Sequence, residues 1–291
     1  MKNIKIFNKE GLQFLSELPD KSVDLILTDP PYITSRDSGM DKWVDHVAKQ
    51  DASGSQNIKT EEEWKVYKTP EEWEAWMAEG KIPESKRDKK LFELKANYIK
   101  YGSIYGKKFA VKTNYGEWDS EFTTETLEMF VKHFYRILKD GGTCIIFFDL
   151  WKVSYLKEMM EGEKFKQMRF IEWIKTNPQP VNSKVNYLTN CREIALLGIK
   201  KSKPTFNSKY DKGIYEYPIY SGRDRFHPTQ KSLALFEDLI NKHSNEGDII
   251  LDCFLGSGTT ALAAMNTNRK FIGCELDEDF FKKSLDRLKN V

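Results

Sequence analysis

The sequence has few cysteines and no long apolar segment. Four of its 291 residues are cysteines, and no two of them form a CxxC pair, so we expect neither a disulfide framework nor a metal site. A run of about 20 apolar residues is missing, which argues against a membrane-spanning helix. The first residues also lack the charged, apolar and small-residue regions of a secretory signal. The sequence therefore predicts a soluble protein of the cytoplasm.

No charge of one sign dominates either. Forty-six lysines and arginines stand against 44 aspartates and glutamates, which gives a net charge of +2. The overall composition therefore does not indicate a nucleic-acid partner, and such a partner must be argued from local charge. With 40% hydrophobic residues, a chain of this length can bury a large core.

Short apolar runs alternate with segments of helical period, which is typical of an α/β fold with a mostly parallel, doubly wound sheet. The predicted strands are residues 23–28, 143–148, 168–174, 193–199, 249–252 and 270–275. The predicted helices are residues 123–138, 231–243, 257–267 and 278–289, the first of them ending at the pair Gly141-Gly142.

Residues 36–115 interrupt this alternation and are too long for a plain loop. Thr60 and Thr69 each stand three residues before a glutamate, which is the pattern of a capping box, and predict a small helical insert. Within residues 94–116 there is no acidic residue, and lysines alternate with aromatic residues. That texture is typical of a nucleic-acid interface, but it is equally typical of a solvated loop whose tyrosines pack on the domain.

A glycine-rich segment, residues 252–260, lies between a predicted strand and a predicted helix. Its glycines, Gly256 and Gly258, allow close approach of a nucleotide-like cofactor to the backbone, and Glu275 ends the next strand, where it can bind ribose hydroxyls. Alone, this pattern also fits an NAD-dependent oxidoreductase. Few residues follow Glu275, however, so most of the sheet must come from earlier sequence, and the fold is circularly permuted.

A second motif, Asp29-Pro30-Pro31-Tyr32, directly follows the strand 23–28. Ligands of open parallel sheets bind beyond the carboxyl ends of the strands, so Asp29 and Gly256 can face one cleft. The simpler interpretation is a turn made rigid by proline.

In combination, these motifs resemble the β-class amino-methyltransferases of DNA, which use S-adenosylmethionine. The resemblance covers most of the chain except 36–115 and includes residues 18–32, 116–119, 136–142, 173–178 and 227–231 in the order that defines the class. Three residues depart from the family pattern, which usually has Asp at Glu10, Pro at Ser232 and Pro at Cys253.

The resemblance implies a circularly permuted, Rossmann-like methyltransferase fold and a role for each motif. The Asp29 carboxylate and the Pro30 carbonyl would accept the hydrogens of an exocyclic amino group, Pro31 would stiffen the turn, and Tyr32 would stack on a flipped base. The implied cofactor residues are Asp252, Phe254, Gly256, Gly258, Thr259, Thr260, Glu275, His227, Thr229 and Lys231. His227 is equally compatible with a structural role in its turn.

The implied substrate is double-stranded DNA. An Asp before Pro-Pro-Tyr favours adenine N6 over cytosine N4 in such families, and both remain open. We expect insertion 36–115 to be the target-recognition region. The candidate DNA-binding residues are Glu10, Lys100, Lys107, Lys108, Lys112, Lys201, Arg223 and Arg225.

The resemblance also implies a bacterial or phage-encoded enzyme, monomeric or homodimeric, and a restriction endonuclease on a separate chain is a candidate partner. Apart from the oxidoreductase, the alternatives are a DNA-binding module without catalysis and a methyltransferase of RNA or protein.

Overall fold

A computed structural model describes residues 3–31, 59–80, 82–101, 104, 122–178, 188–222, 225–227 and 229–290, with only the backbone of Lys100 and Tyr101. The chain divides into two compact units, one formed by Met1–Ile33 and Tyr115–Val291 and the other by Thr34–Asn114. None of the described helices is both long and apolar enough to cross a bilayer.

The described elements follow one another in this chain order: β1 (Ile4–Asn8), α1 (Gly11–Glu17), β2 (Val23–Thr28), α2 (Glu61–Tyr67), α3 (Pro70–Glu79), α4 (Glu84–Tyr101), α5 (Thr124–Ile137), β3 (Leu138–Phe148), α6 (Val153–Gly162), β4 (Phe165–Lys175), β5 (Arg192–Lys200), β6 (Ile214–Tyr217), α7 (Leu233–His243), β7 (Ile249–Asp252), α8 (Thr259–Asn266), β8 (Lys270–Glu275) and α9 (Glu278–Lys289).

The strands form one sheet in the order β1-β8-β7-β2-β3-β5-β4-β6. The five strands from β1 to β3 pair in parallel, and β5 is antiparallel to both β3 and β4. The glycine-rich segment follows β7, whose neighbours are the early strand β2 and the late strand β8. The predicted α/β fold with a mostly parallel, permuted sheet is confirmed.

Helices cover both faces of this sheet because the inner strands are apolar on both sides. One core contains Leu25 and Leu27 of β2, and the other contains Val23 and Ile26 of the same strand. Helix α5 buries Leu127, Phe130, Val131 and Phe134, the spacing of one helical face, in the second core.

The predicted helix 123–138 is observed to within one residue at each end, but the predicted role of Gly141-Gly142 as its stop was wrong. The helix ends at Ile137, and the pair Gly141-Gly142 lies inside β3, which begins at Leu138 rather than at residue 143. A Cβ on Gly142 would approach the Leu138 Cγ to 2.7 Å and the Asp24 carbonyl oxygen to 2.9 Å. This glycine therefore permits close strand packing and does not terminate the helix.

The second unit contains the predicted small helices. Thr60 and Thr69 cap α2 and α3, and both capping boxes are present. Trp64, Trp73, Met77, Leu94, Tyr98 and Ile104 form its core. Residues 94–101 belong to α4 and therefore do not form a loop, and Tyr98 is buried 5.5 Å from the Trp64 ring, in the core of this unit.

Candidate active site

The two motifs meet at the carboxyl ends of the neighbouring parallel strands β2 and β7. Asp29 directly follows β2, and Asp252 ends β7. The Thr28 hydroxyl donates a hydrogen bond of 2.6 Å to the Asp252 carboxylate, 224 positions away in the sequence. The two motifs therefore follow adjacent strands at the same end of the sheet, which is the arrangement expected of residues that face one cleft.

Asp252 holds the glycine-rich segment in place. Besides Thr28, its carboxylate accepts hydrogen bonds from the Thr260 hydroxyl at 2.6 Å and from the Phe254 backbone N–H at 3.0 Å. Burial raises the pKa of Asp252, and these three donors act against that effect. Both oxygens of this predicted cofactor residue are thus engaged in shaping the segment.

Glycine is required at two positions of the segment by backbone conformation. Gly256 has φ +52° and Gly258 has φ +75°, in the left-handed region that favours glycine. A Cβ on Gly256 would come within 3.2 Å of the His227 Nε2. Gly258 is the N-cap of α8, and the buried Thr259 and Thr260 form the first turn of that helix.

Glu275 bridges the segment to the end of β8. One carboxylate oxygen accepts the Gly256 N–H at 2.7 Å, and the other accepts the Asp277 N–H at 3.0 Å. Burial raises the pKa of Glu275, and the two backbone donors lower it. Since a carboxylate oxygen can accept more than one hydrogen bond, both oxygens retain acceptor capacity for a ligand.

His227 lies beside Gly256 and against the Phe280 ring, with 4.5 Å between the ring centroids. Its Nδ1 accepts a weak hydrogen bond of 3.3 Å from the Thr229 N–H. Burial lowers the pKa of His227 to about 4, and the positive charges of Lys231 and Arg225 contribute. The ring is therefore neutral at neutral pH, and its contacts suit both a structural role and contact with a ligand.

Phe254, within the segment, is half-buried and packs against the Phe130 ring, 4.7 Å away, and the Phe122 ring, 5.7 Å away. Arg287, which the sequence did not suggest, donates from Nη1 to the Ser257 carbonyl at 2.9 Å and to the Thr259 hydroxyl at 3.1 Å. The segment is thus supported from α5 and from α9.

Asp29 lies at one end of a row of four charged side chains whose signs alternate. The Lys231 ammonium lies 2.8 Å from the Asp29 Oδ2 and 2.7 Å from the Glu193 Oε2, and the Lys175 ammonium lies 2.7 Å from the Glu193 Oε1. The Asp29 Oδ1 is buried and has no hydrogen-bond partner among the described residues. We call these four residues the charge chain.

The two carboxylates of the charge chain have different pKa values. Burial raises the pKa of Asp29 to about 6, which Lys231 opposes and Glu193 reinforces. Burial acts in the same direction on Glu193, but Lys231 and Lys175 together outweigh it and lower the pKa of Glu193 to about 2. Asp29 is therefore mostly ionised at neutral pH, and Glu193 is fully ionised.

Sequence reasoning missed Lys175 and Glu193 as site residues and assigned Lys231 to the cofactor. Lys175 lies in the family-like stretch 173–178, which was a usable signal, whereas Glu193 is only an acidic first residue of the predicted strand 193–199. A cavity of about 260 Å³ lies beside them and is also lined by Arg225 and Gln230. The candidate DNA-binding residue Arg225 is therefore close to the site.

Two other candidate DNA-binding residues have local roles in the structure. Glu10 is the N-cap of α1, where its carboxylate accepts the N–H groups of Leu12 at 2.9 Å and Gln13 at 2.7 Å. Lys201 lies 3.6 Å from Asp140, near the start of β3 and so at the opposite end of the sheet from Asp29. The structure does not bring Lys201 to the site.

Of the other predicted residues, Pro30 is buried and Pro31 is half-buried directly after Asp29. Tyr32, Lys107, Lys108, Lys112 and Arg223 lie outside the described residues, as does the side chain of Lys100. In the part of the chain that is described, no three His, Cys, Asp or Glu side chains are grouped to hold a metal ion.

This chain is similar to known DNA methyltransferases. A DNA methylase family model matches residues 23–286. The type II methyltransferase M2.MboI of Moraxella bovis is 24% identical, over 100% of this chain and 89% of that protein. M2.DpnII of Streptococcus pneumoniae is 31% identical, over 62% of this chain and 74% of that protein.

The fold of this chain is also similar to those of solved DNA methyltransferase structures. The complex of M1.HpyAVI with SAM has a TM-score of 0.59 and 25% identity, over 98% of both chains. The cytosine-N4-specific PvuII DNA methyltransferase has a TM-score of 0.61 at 15% identity, over 98% of this chain and 86% of that one, which shows the shared fold. Since the matched family model spans both Asp29 and the glycine-rich segment, this chain belongs to the DNA methylase family of N6/N4 amino-methyltransferases.

Proposed function

We propose that this protein transfers a methyl group from S-adenosylmethionine to the exocyclic N6 of adenine in double-stranded DNA. The observation that carries the proposal is the geometry of Asp29. One of its carboxylate oxygens is fixed by Lys231, the other is buried without a partner among the described residues, and the glycine-rich segment lies on the adjacent strand.

The chemical task is to make an aromatic amino group nucleophilic. Its lone pair is delocalised into the base, and acceptors for its two hydrogens would localise that pair on nitrogen. The Asp29 Oδ1 and the Pro30 carbonyl are such acceptors. Asp29 must be ionised to act in this way, which its pKa of about 6 allows at neutral pH.

The residues of the glycine-rich segment fit S-adenosylmethionine. Gly256 and Gly258 leave the backbone open to close approach, Glu275 keeps acceptor capacity for ribose hydroxyls, and the neutral His227 adds no positive charge beside a sulfonium. When bound, S-adenosylmethionine supplies an activated methyl group. The transfer is then a direct displacement in which positioning by the protein contributes most of the rate enhancement.

The target base must leave the DNA stack to reach Asp29. The Asp29 side chain is only 19% exposed, and a base inside a duplex cannot approach a carboxylate at that depth. Flipping costs a few kcal/mol, and stacking on an aromatic residue returns about 1–3 kcal/mol. The resemblance assigns that stacking to Tyr32.

Adenine N6 is proposed over cytosine N4 because an Asp precedes Pro-Pro-Tyr. The geometry alone does not distinguish the two amino groups, since both present two hydrogens and a delocalised lone pair. Cytosine N4 therefore stays the second candidate, and the fold shared with the cytosine-N4-specific PvuII enzyme supports keeping it.

We further propose that residues 36–115 read the DNA sequence and that the enzyme works in the cytoplasm beside a restriction endonuclease on another chain. The support for the first point is the lysine-rich and aromatic-rich sequence within 94–116. A variant without 36–115 that folds and still methylates the same DNA sequence would refute this assignment.

The test of the reaction uses labelled S-adenosylmethionine, unmethylated double-stranded DNA, and mass spectrometry of the digested nucleosides. We expect N6-methyladenine from the wild-type protein and none from Asp29→Asn. Asp24→Asn is the matched control, since Asp24 lies at the other end of β2 and pairs with Lys139. Detection of N4-methylcytosine instead would show that the target is cytosine N4 and not adenine N6. If the protein binds S-adenosylmethionine but makes no methylated DNA, DNA is not its substrate.

A further inference from the structure

Lys231 contacts the catalytic carboxylate directly, whereas the family resemblance assigns residues 227–231 to the cofactor. Its side chain is 9% exposed, and its ammonium lies 2.8 Å from Asp29 and 2.7 Å from Glu193. Burying an ammonium is costly unless well-placed carboxylates compensate, and both carboxylates lie at hydrogen-bonding distance here.

We propose that Lys231 is a positioning residue for methyl transfer: it holds the Asp29 Oδ2, so that Oδ1 faces the amino group of the target base, and Glu193 in turn holds Lys231. This inference rests on the proposed function, because it gives the role of a residue in that reaction.

The strands β4 and β5 give the arrangement its rigidity. Glu193 is in β5 and pairs in register with Trp173 of β4, and Lys175 is two residues further along β4. The Lys175 ammonium lies 2.7 Å from the Glu193 Oε1, whereas the Lys231 ammonium lies 2.7 Å from the Oε2. Glu193 is therefore fixed from both sides, and the position of Lys231 is fixed through it.

The contact also fixes the rotation of the Asp29 carboxylate. A carboxylate can exchange its two oxygens by rotating about its terminal bond, which is a soft torsion. The ion pair at Oδ2 removes that freedom and leaves Oδ1, buried and without a partner among the described residues, as the acceptor.

The charged groups acting on Asp29 from the described elements are Lys231, Glu193 and Asp252, and they act with different signs. Lys231 lowers the pKa of Asp29, while Glu193 and Asp252 raise it. The acid limb is the low-pH side of the profile of kcat/KM against pH, where Asp29 becomes ionised. Removing the charge of Lys231 should move this limb to higher pH, and removing the charge of Glu193 should move it to lower pH. A merely structural role of these residues would not produce opposite shifts.

The size of the first shift follows from the strength of a close opposite charge, which lowers a carboxyl pKa by about 1–3 units. Loss of Lys231 would raise the pKa of Asp29 from about 6 by that amount. The ionised fraction at pH 7 then falls by roughly 2-fold to 100-fold. We expect kcat/KM at pH 7 to fall by the same factor in Lys231→Met and to recover as the pH is raised.

The experiment measures kcat/KM for methyl transfer to DNA between pH 5 and pH 10 for Lys231→Met and Glu193→Gln. The dissociation constant of S-adenosylmethionine is measured for each variant at the same time. Lys242→Met is the matched control, because Lys242 also bridges two carboxylates, Asp211 at 2.8 Å and Asp238 at 3.0 Å, away from the site. It should leave the acid limb in place.

A second measurement does not depend on activity. The carboxyl pKa of Asp29 is followed by carbon-13 NMR in the full-length protein, with Asp29→Asn to assign the signal. We expect the pKa to rise in Lys231→Met, to fall in Glu193→Gln, and to stay unchanged in Lys242→Met.

Several results would overturn the proposal. One is a weakened affinity for S-adenosylmethionine in Lys231→Met together with an unshifted acid limb, which would show that Lys231 serves cofactor binding and not Asp29. Another is a shift of the same sign in Lys231→Met and Glu193→Gln. If Lys231→Met does not fold, the test uses Glu193→Gln and the charge-conserving Lys231→Arg. We expect Lys231→Arg to have an acid limb like that of the wild type.

Failure of the proposed function would look different. In that case the wild-type protein makes no methylated DNA at any pH, while the NMR titration still reports on the contact between Lys231 and Asp29.

Discussion

The hydrogen bond between Thr28 and Asp252 joins the strand that carries Asp29 to the glycine-rich segment. Thr28 is fully buried, and its hydroxyl is one of three donors to a buried carboxylate. Replacing Thr28 with Val keeps the side-chain shape and removes only this donor. The variant therefore isolates the contribution of the hydrogen bond.

A hydrogen bond to a charged group contributes about 1.5–3 kcal/mol, and losing one partner of a buried pair leaves the other poorly solvated. We expect Thr28→Val to lower the free energy of unfolding by about 1.5–3 kcal/mol, which corresponds to about 3–12 °C in Tm. The loss should shrink at acid pH, because burial raises the pKa of Asp252 and a protonated carboxyl needs fewer donors.

Thr143→Val is the matched control. Thr143 lies in the neighbouring strand β3, is also buried, and its hydroxyl has no hydrogen-bond partner among the described residues. Replacing it should be neutral or stabilising. Thermal unfolding followed by circular dichroism, together with the dissociation constant of S-adenosylmethionine, checks both variants. Equal losses in the two variants, or no loss in Thr28→Val, would refute this account of Asp252.

Three further predictions concern other parts of the chain. Gly256→Ala should weaken S-adenosylmethionine binding, measured by calorimetry, more than Gly247→Ala, because both have positive φ but only Gly256 adjoins a side chain. Trp73→Ala should destabilise the second unit by about 3–5 kcal/mol in chemical denaturation, because Trp73 packs 4.9 Å from Trp64, and a negligible loss there would contradict a shared core. The stability of Asp29→Asn relative to wild type should increase by up to about 3 kcal/mol between pH 4 and pH 7, since an acid with a folded pKa raised to about 6 stabilises the fold below its unfolded pKa and loses that contribution as it ionises.

Much of the fold could be predicted from apolar runs, but edge strands could not. The buried strands β2, β7 and β8 were predicted with their observed bounds because they are apolar on both faces. Strands β1 and β6 were missed, since each is short, half-exposed and at an edge of the sheet. Their pairing depends on partners distant in sequence, which local pattern does not show.

Helix α4 was missed for a related reason. It is rich in lysine, and its buried residues Leu94 and Tyr98 are a single pair at helical spacing, at the start of the stretch 94–116 that the sequence left open between a nucleic-acid interface and a solvated loop. The apolar surface that makes this helix stable belongs to Trp64 and Met77, on other helices. The sequence of α4 alone therefore did not indicate that it folds.

The residues of the candidate site that belong to sequence motifs could be predicted, and the contacts between distant residues could not. Asp29, Gly256, Gly258 and Glu275 stand at strand ends that the sequence predicts. The contact between Lys231 and Asp29 was not predictable, because it depends on β5 pairing with β3 so that Glu193 lies at the same sheet edge. Opposite charges far apart in sequence have no local signature.

The sheet order has a consequence for how the protein is made. Asn8 at the end of β1 donates to the carbonyl of Glu275, 267 positions later in the sequence, and Leu25 of β2 pairs with Ile250 of β7, 225 positions later. At a synthesis rate of about 5–20 residues per second, these partners emerge from the ribosome roughly 11–53 s after the strands that need them. Asp29 and the glycine-rich segment therefore cannot come together on a nascent chain until β7 and β8 have emerged, and with the proposed roles of these residues a growing polypeptide has no capacity to modify DNA before then.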